Sequence, residues 1–566
     1  MSLPVTSDLA ANAEQAQQEE TNASVVGASS ILALGNIGSR VLGLAREMVL
    51  TFLFGASAVV DAFQVATVVI RAIYDLLIGG HVNGALVPVL SDVFTVQGKH
   101  ELWRVVSILM SLVFTLLSGL VVLVSLFAPQ IVLVTAGGAS EQTITLAVDL
   151  LRLTAPALIF MALFAVFSAA LYASKQFFMP AFAGVIFNGS IVICALLLTP
   201  PYVLSAEWFS APASANIFKP FFLVRPNDAI VAVAVGWICG AVLQMLAQVW
   251  GLREARLRFT LNWRHPALRH IALLYAPVML SLILDTLIAR PYSYNLASQT
   301  GEGSIAYMNW ATTLIQFPQG LVATAISVAI LPTLAGQAAV LPVVSRAFKD
   351  TLGLGLRLTI TLILPAAAAL MVLAVPIIQL LFENGAFTAN DTAITAQVLR
   401  LYLIGLPFAA VDLLLVYAFY ARKDTLTPTL IGVFSLLVYM LTAYLLLPSL
   451  GLYSLMIADS VKHITHASIS ALILQRRLEG LHQLGLLRTF IKTAIAALLM
   501  ALAARAALIW LYQHVGAGTL LQELVIVLTA GGVCVTVFSA SAYLLRIEEF
   551  HRIVNLLLRR KSQNPS

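Results

Sequence analysis

Fourteen stretches of predominantly apolar residues recur along this chain of 566 residues. Each is long enough to cross the hydrocarbon core of a bilayer as a helix. They cover 26–54, 60–95, 103–127, 142–173, 179–200, 228–252, 268–297, 303–335, 350–373, 388–420, 427–447, 451–475, 490–512 and 519–545. In lipid the backbone must satisfy its own N–H and C=O groups, so this pattern restricts the chain to a helical bundle. Only 10% of the residues are charged, against about 25% in a soluble domain. Most of the surface therefore faces lipid, and the predicted fold is an all-α polytopic membrane protein.

Charge bias gives the orientation. With the N-terminus inside, the inner loops hold Lys99 and Arg104, Lys175, Arg253 to Arg269, Arg346 and Lys349, Arg422 and Lys423, and Arg476 to Arg488, and the tail adds Arg546 to Lys561. The opposite loops hold only Lys219 and Arg225. Cytoplasmic loops collect Lys and Arg, so an even number of spans with both termini cytoplasmic is expected, and the net charge of +6 needs no nucleic acid to explain it. Residues 1–24 are polar, acidic and free of Lys and Arg. They lack the basic start of a secretory signal and read as a disordered tail. The cysteines Cys194, Cys239 and Cys534 are widely spaced in apolar segments, with no metal-ligand or disulfide pattern.

The chain repeats itself. LYASKQFFMP (171–180) resembles FYARKDTLTP (419–428), and the same shift of 248 residues pairs LLRL (150–153) with VLRL (398–401) and Gly137 with Gly385. VPVL (87–90) pairs with LPTL (331–334) at a shift of 244. Two like-oriented halves of six helices are a transporter signature, with the substrate site between them. The last two helices fall outside both copies. The predicted division is a tail at 1–24, an N-lobe at 25–255, a C-lobe at 256–480, a two-helix unit at 481–548 and a basic cytoplasmic tail at 549–566.

Ionisable residues inside the spans are costly and mark function by default. Arg40, Arg46, Glu47, Asp61, Arg71 and Asp75 crowd the first two spans, and Asp285 and Arg290 lie in the seventh. A polar cavity of net positive charge, lined by spans 1, 2, 7 and 8, is the simplest arrangement. It suits an anionic headgroup, because the guanidinium fork stays charged and bonds two phosphate oxygens at once. The bland alternative pairs Arg40 with Glu47 and Arg71 with Asp75 along their own helices and lets Arg152, Arg357 and Arg400 snorkel. GGHVNG (79–84) weakens the second span, so Gly79, Gly80 and Gly84, with Pro318 in the eighth span, are expected hinge or gating positions. There is no HExxH, Walker loop or GxSxG in context. Neither a metal nor another cofactor is expected, and Asp149, Asp412 and Asp459 read as packing or ion-coupling residues.

SRVLGLARE…FGAS…DAF (39–63), NGALVPVL (83–90), FPQGLVATAISVAILPTLA (317–335), LLFENGAFTANDT (380–392) and AFYARKDTLTP (418–428) resemble, in order and at family spacing, the lipid II flippase family (MurJ/MviN). That family lies in the multidrug/oligosaccharidyl-lipid/polysaccharide exporter superfamily. The resemblance implies fourteen helices, two lobes, and a lipid-facing groove formed by the last two helices. It also implies a cargo, undecaprenyl pyrophosphate bearing a glycopeptide, carried from the inner to the outer leaflet of a bacterial cytoplasmic membrane. Arg40 and Arg46 match the arginines of the first-helix motif, Glu47 the following acid, and Asp61 the acid of DAF. The chain departs from the family at Tyr74 and Asp75, where many members carry an Arg pair, and at Thr312, Thr313 and Gln316, where many carry ionisable residues. Arg71 and Arg290 are the expected replacements.

The expected partners are the lipid-linked glycopeptide, membrane lipids, a coupling ion and cell-wall synthesis proteins. Other readings stay open at this stage. They are an exporter of another polyprenyl-linked glycolipid, a superfamily antiporter, a non-transporting scaffold, and a polyprenyl-phosphate glycosyltransferase. An antiporter of cationic drugs prefers an acidic cavity, and a glycosyltransferase needs a larger catalytic segment than the 201–227 connection.

Overall fold

The computed structural model describes residues 5–77, 80–198, 227–262, 283–340, 346–478, 484–516 and 518–563, with 265, 268, 271 and 480 standing alone between these blocks. Side chains are described from Ser30 onward, except at 77–85, 227–228, 284–285, 339–340 and 556–563. The helices of the first half are α1 (Val5–Phe54), α2 (Ala58–Leu77), α3 (Gly80–Gln97), α4 (Lys99–Leu126), α5 (Ala128–Ala136), α6 (Glu141–Thr154), α7 (Ala157–Ala173), α8 (Phe178–Leu198) and α9 (Val231–Gly251). Those of the second half are α10 (Arg290–Ser298), α11 (Ser304–Pro318), α12 (Ala325–Val340), α13 (Arg346–Phe382), α14 (Ala389–Ala421), α15 (Leu426–Leu450) and α16 (Tyr453–Arg477). Then follow α17 (Leu486–His514), α18 (Leu520–Leu544) and α19 (Glu548–Gln563). No strand occurs among the described residues.

Among the described residues, nine helical stretches are by themselves long and apolar enough to cross a bilayer, or ten if α6 and α7 count as one bent span. The remaining predicted spans fall largely on α1, α2 with α3, α16 and the segment entering α10. α1, α2 and α16 carry Arg40 and Arg46, Asp61 to Asp75, and Asp459 to His466, which lower their apolarity. The helices that depart most from lipid-like composition are thus the ones that furnish ionisable groups.

Several predicted elements are corrected. The span 60–95 falls on α2 and α3, and residues 78–79 between them lie outside the described residues. The span 142–173 bends by 41° between α6 and α7, where Pro156 removes a backbone donor. The span 303–335 stands as one continuous helical stretch with a π turn, Gln319–Thr324, directly after Pro318, and another π turn, Leu284–Ala289, precedes α10. α5 is too short to register as a span. Residues 5–24, read as disordered, are helical backbone continuous with α1. Low hydrophobicity pointed to disorder there, but Ala, Glu and Gln are strong helix formers. Glu548–Gln563 of the basic tail is likewise helical, with Glu549 buried against Arg357 of α13 at 2.5 Å.

The repeat survives as backbone geometry. Lys175 and Lys423 both have φ 60°, an uncommon left-handed conformation. Around them the Gln176 N–H donates to Leu171 O at 2.8 Å and the Asp424 N–H to Phe419 O at 3.0 Å. The two halves therefore end their fourth helical segments with the same cap. α17 and α18 pack on each other and on α13, outside this pairing.

In the first half, α8 is the central plank, packed by α1 on one side and α9 on the other. A side chain at Gly240 of α9 would meet Phe187 O at 2.8 Å, and one at Gly236 would meet Cys194 Cβ at 2.9 Å. This small-x-x-x-small pattern lets two helices approach closely in lipid, where packing drives association. Gly240→Leu is expected to force α9 away from α8 and to cost about 1–3 kcal/mol as an overpacked contact. A fall in the unfolding temperature of the purified protein in detergent checks it.

The halves are joined at the end poor in Lys and Arg, termed the charge-poor end for its lack of cations, where the turns after α1, α5, α10 and α13 meet. The Ala386 N–H donates to Phe52 O at 3.0 Å, and the Gly138 N–H to Ser298 Oγ at 3.1 Å. Asn295 Nδ2 donates to Val134 O at 3.0 Å. A side chain at Gly385, with φ 67°, would meet Phe52 O at 2.2 Å, so only glycine fits this closure.

Candidate functional site

Arg46 sits on α1 where α8 crosses it. Its Nη2 and Nε donate to Glu47 Oε1 at 2.5 and 3.2 Å, and its Nη1 donates to Asn188 Oδ1 at 3.0 Å. Asn188 is held in turn by Nδ2 donation to Gly184 O at 3.0 Å. Glu47 is buried, and its Oε2 has no partner among the described residues. A buried charge is tolerated only when paired, so Arg46 and Glu47 form one unit.

Arg71 of α2 lies with its guanidinium 4.8 Å from the ring centre of Trp237 on α9, and Arg46 lies 6.0 Å from the same ring. Arg71 is within electrostatic reach of both Arg46 and Arg290. Arg290, at the start of α10, places Nη1 3.6 Å from Asp75 Oδ2, joining the two halves. Three guanidinium groups thus gather where the halves meet, against the carboxylates of Glu47 and Asp75.

Arg40 stands apart. Its Nη1 donates to Gln316 O on α11 at 3.2 Å, and its guanidinium lies so close to Gly320 that a side chain there would meet Nη2 at 2.5 Å. Asp61 also stands apart. It is buried at the charge-poor end, where its carboxylate accepts from the Gly303 N–H at 2.7 Å and the Ala306 N–H at 2.9 Å. It caps the N-terminus of α11 from the other half of the molecule, where a negative charge is favoured.

Gly80 opens α3 and Gly84 lies one turn further in. Gly79 and the side chain of Asp285 lie outside the described residues. Pro318 closes α11 ahead of the π turn. Thr312 and Thr313, at positions often ionisable in relatives, both donate back to Asn309 O at 2.9 Å and contribute no charge.

A cavity of about 400 Å³ runs from Arg290 of α10 among α14, α15 and α16. Within it Lys462 pairs with Asp459 at 2.6 Å, His463 Nε2 lies 3.6 Å from Asp459, and His466 Nδ1 lies 2.6 Å from Asp412 Oδ1. Ser470 and Asp412 both approach Nδ1 of His466, so the trio is not a nucleophile–base relay, which needs its two partners on opposite ring nitrogens. The sequence reading placed the cavity wall on spans 1, 2, 7 and 8; this part is lined by span 7, through Ala289, Arg290 and Ser293, together with spans 10 to 12. It also missed Trp237 and Asn188. An isolated Trp or Asn in an apolar span carries no signal until its arginine neighbour is known.

The sequence profile described as "Lipid II flippase MurJ" matches residues 50–528. The chain belongs to the MurJ family of lipid II flippases. A MurJ of Burkholderia cenocepacia is 30% identical over 482 residues, covering 82% of this chain and 86% of that protein. A probable MurJ of Synechocystis is 26% identical and covers 94% of this chain and 96% of that protein. Among solved structures, "Lipid II flippase MurJ, inward closed conformation" superposes with a TM-score of 0.71 at 22% identity, over 91% of this chain and 99% of that one. An inward-facing multidrug transporter of the MOP superfamily superposes at 0.62 with 15% identity, over 79% and 96%. At these identities the two structures speak to fold alone. MurJ-family membership makes the chain a multi-pass membrane transporter with no covalent step.

Proposed function

We propose that this chain carries lipid II from the inner to the outer leaflet of the bacterial cytoplasmic membrane by alternating access, with both termini in the cytoplasm. The observation that carries this reading is the placing of Arg71 and Arg46 at the Trp237 ring, with Arg290 reaching Asp75 across the halves. Planar guanidinium groups bond diphosphate oxygens in pairs, and a site between two lobes is exposed alternately as they rock. The charge-poor end is then the outer end, and its backbone bonds seal the cavity from that side. The polyprenyl tail stays in lipid beside α17 and α18. Gly79, Gly80, Gly84 and Pro318 supply the bends. A coupling ion or the membrane potential resets the carrier, one charge crossing 100 mV being worth about 2.3 kcal/mol.

Expression in a bacterium depleted of its own flippase tests the reading. Restored growth with lipid II reaching the outer leaflet is the expected result. Membrane insertion without either one overturns it. The uncharged Thr312 and Thr313, with Tyr74 where relatives carry arginine, favour one second reading, another polyprenyl-diphosphate glycolipid. Growth failure with export of such a lipid marks it.

A further inference from the structure

We infer that Trp237 is a positioning residue for the headgroup: its ring face holds the Arg71 guanidinium and aims its N–H edge into the space between the halves. The inference rests on the proposed diphosphate site, and it concerns how this chain fills that site with Tyr74 where many relatives have arginine.

Arg71 Cζ is 4.8 Å from the Trp237 ring centre, well inside the range of a cation–π contact. A guanidinium held by its face keeps its in-plane donors free, and in-plane donors are what a diphosphate needs. The ring is itself fixed. Phe187 and Phe63 meet it edge-on, both at 80°, with centroids 5.0 and 6.0 Å away. The flanking Gly236 and Gly240 bring α9 against α8 and so set the depth of the ring. Phe187 adjoins Asn188, the partner of Arg46, so one helix contact aligns both cations.

The indole N–H supplies a second argument. Trp237 is 1% exposed, and its Nε1 donates to nothing among the described residues. A buried donor without a partner is unfavourable. If packing were the purpose, an apolar aromatic would serve better. What tryptophan offers over phenylalanine at this position is its stronger π face, and the cation is there to meet it.

The test uses the full chain in detergent with two probes, inorganic pyrophosphate and lipid II. Trp237 is replaced at its single codon by tryptophans bearing one to four ring fluorines, which drain the π face and keep the shape. Pyrophosphate affinity is expected to fall stepwise with fluorination, by about tenfold over the series, while the unfolding temperature holds. Trp237→Leu is expected to weaken pyrophosphate binding in the parent and to cost much less in Arg71→Gln, where only Arg46, 6.0 Å away, still meets the ring.

Affinity indifferent to fluorination, additive losses in the double variant, or a parent that does not bind pyrophosphate overturns the inference. Pyrophosphate binding that tracks fluorination while lipid II fails to bind upholds it and instead removes lipid II as the cargo.

Discussion

Arg46→Ala is expected to abolish complementation and to cost the fold roughly 3–5 kcal/mol, the loss typical when one partner of a buried ion pair is removed. Glu47 carries the cost. Its side chain is 5% exposed, and both of its charge-assisted bonds come from Arg46. Instability alone then explains a dead single variant, so the informative protein is Arg46→Leu with Glu47→Leu. Exchanging a whole buried pair for apolar groups is commonly neutral or stabilising. The double variant is expected to unfold within a few degrees of the parent in detergent and still to leave a flippase-depleted cell without lipid II at its outer leaflet. Growth restored by this stable double variant would remove Arg46 from the headgroup site.

Asp61→Ala is expected to open the sealed end. The carboxylate accepts two backbone N–H groups of α11 across the lobe boundary, and hydrogen bonds to a charged group contribute about 1.5–3 kcal/mol each. Only the closed state has these bonds, so their removal acts on one side of the equilibrium. A loss of about 3 kcal/mol shifts the ratio of open to closed by roughly a hundredfold. Spin labels at Glu141 and Glu302, both exposed beside this seal, report it as a second, longer distance. Asp61→Asn keeps one accepting oxygen and is expected to fall between parent and alanine variant. A distance distribution unchanged in Asp61→Ala would show that the closure is held elsewhere.

Asp61 also shows where sequence reading stops. Its placement in a span, beside a run of cations, suggested a cavity acid, and nothing local distinguishes that role from a cap on a helix some 240 residues later. The sequence offered Arg40 as the helix partner of Glu47, whereas Glu47 pairs with its chain neighbour Arg46 and Arg40 reaches Gln316 O. The repeat was legible because it is local: the tight cap at Lys175 and Lys423 is written in a few neighbouring residues. The Arg71–Trp237 contact, the Asp75–Arg290 bridge and the His466–Asp412 pair depend on which helix faces join across the bundle. Hydrophobic periodicity is nearly silent about that when both lipid and core are apolar.

In the proposed orientation, the closure between the halves has an environmental consequence. It is made of main-chain donors, a serine hydroxyl, an asparagine amide and one buried carboxylate, and no ion pair joins the halves there among the described residues. Exposed pairs such as Lys99–Glu254 belong to the opposite end. Dissolved electrolyte weakens exposed ion pairs and leaves hydrogen bonds that are buried or between neutral groups nearly untouched. On the proposed topology, the side that meets brine, rainwater or host fluid is latched by bonds indifferent to salinity, and the salt-sensitive fastenings sit where the cell holds its own composition steady.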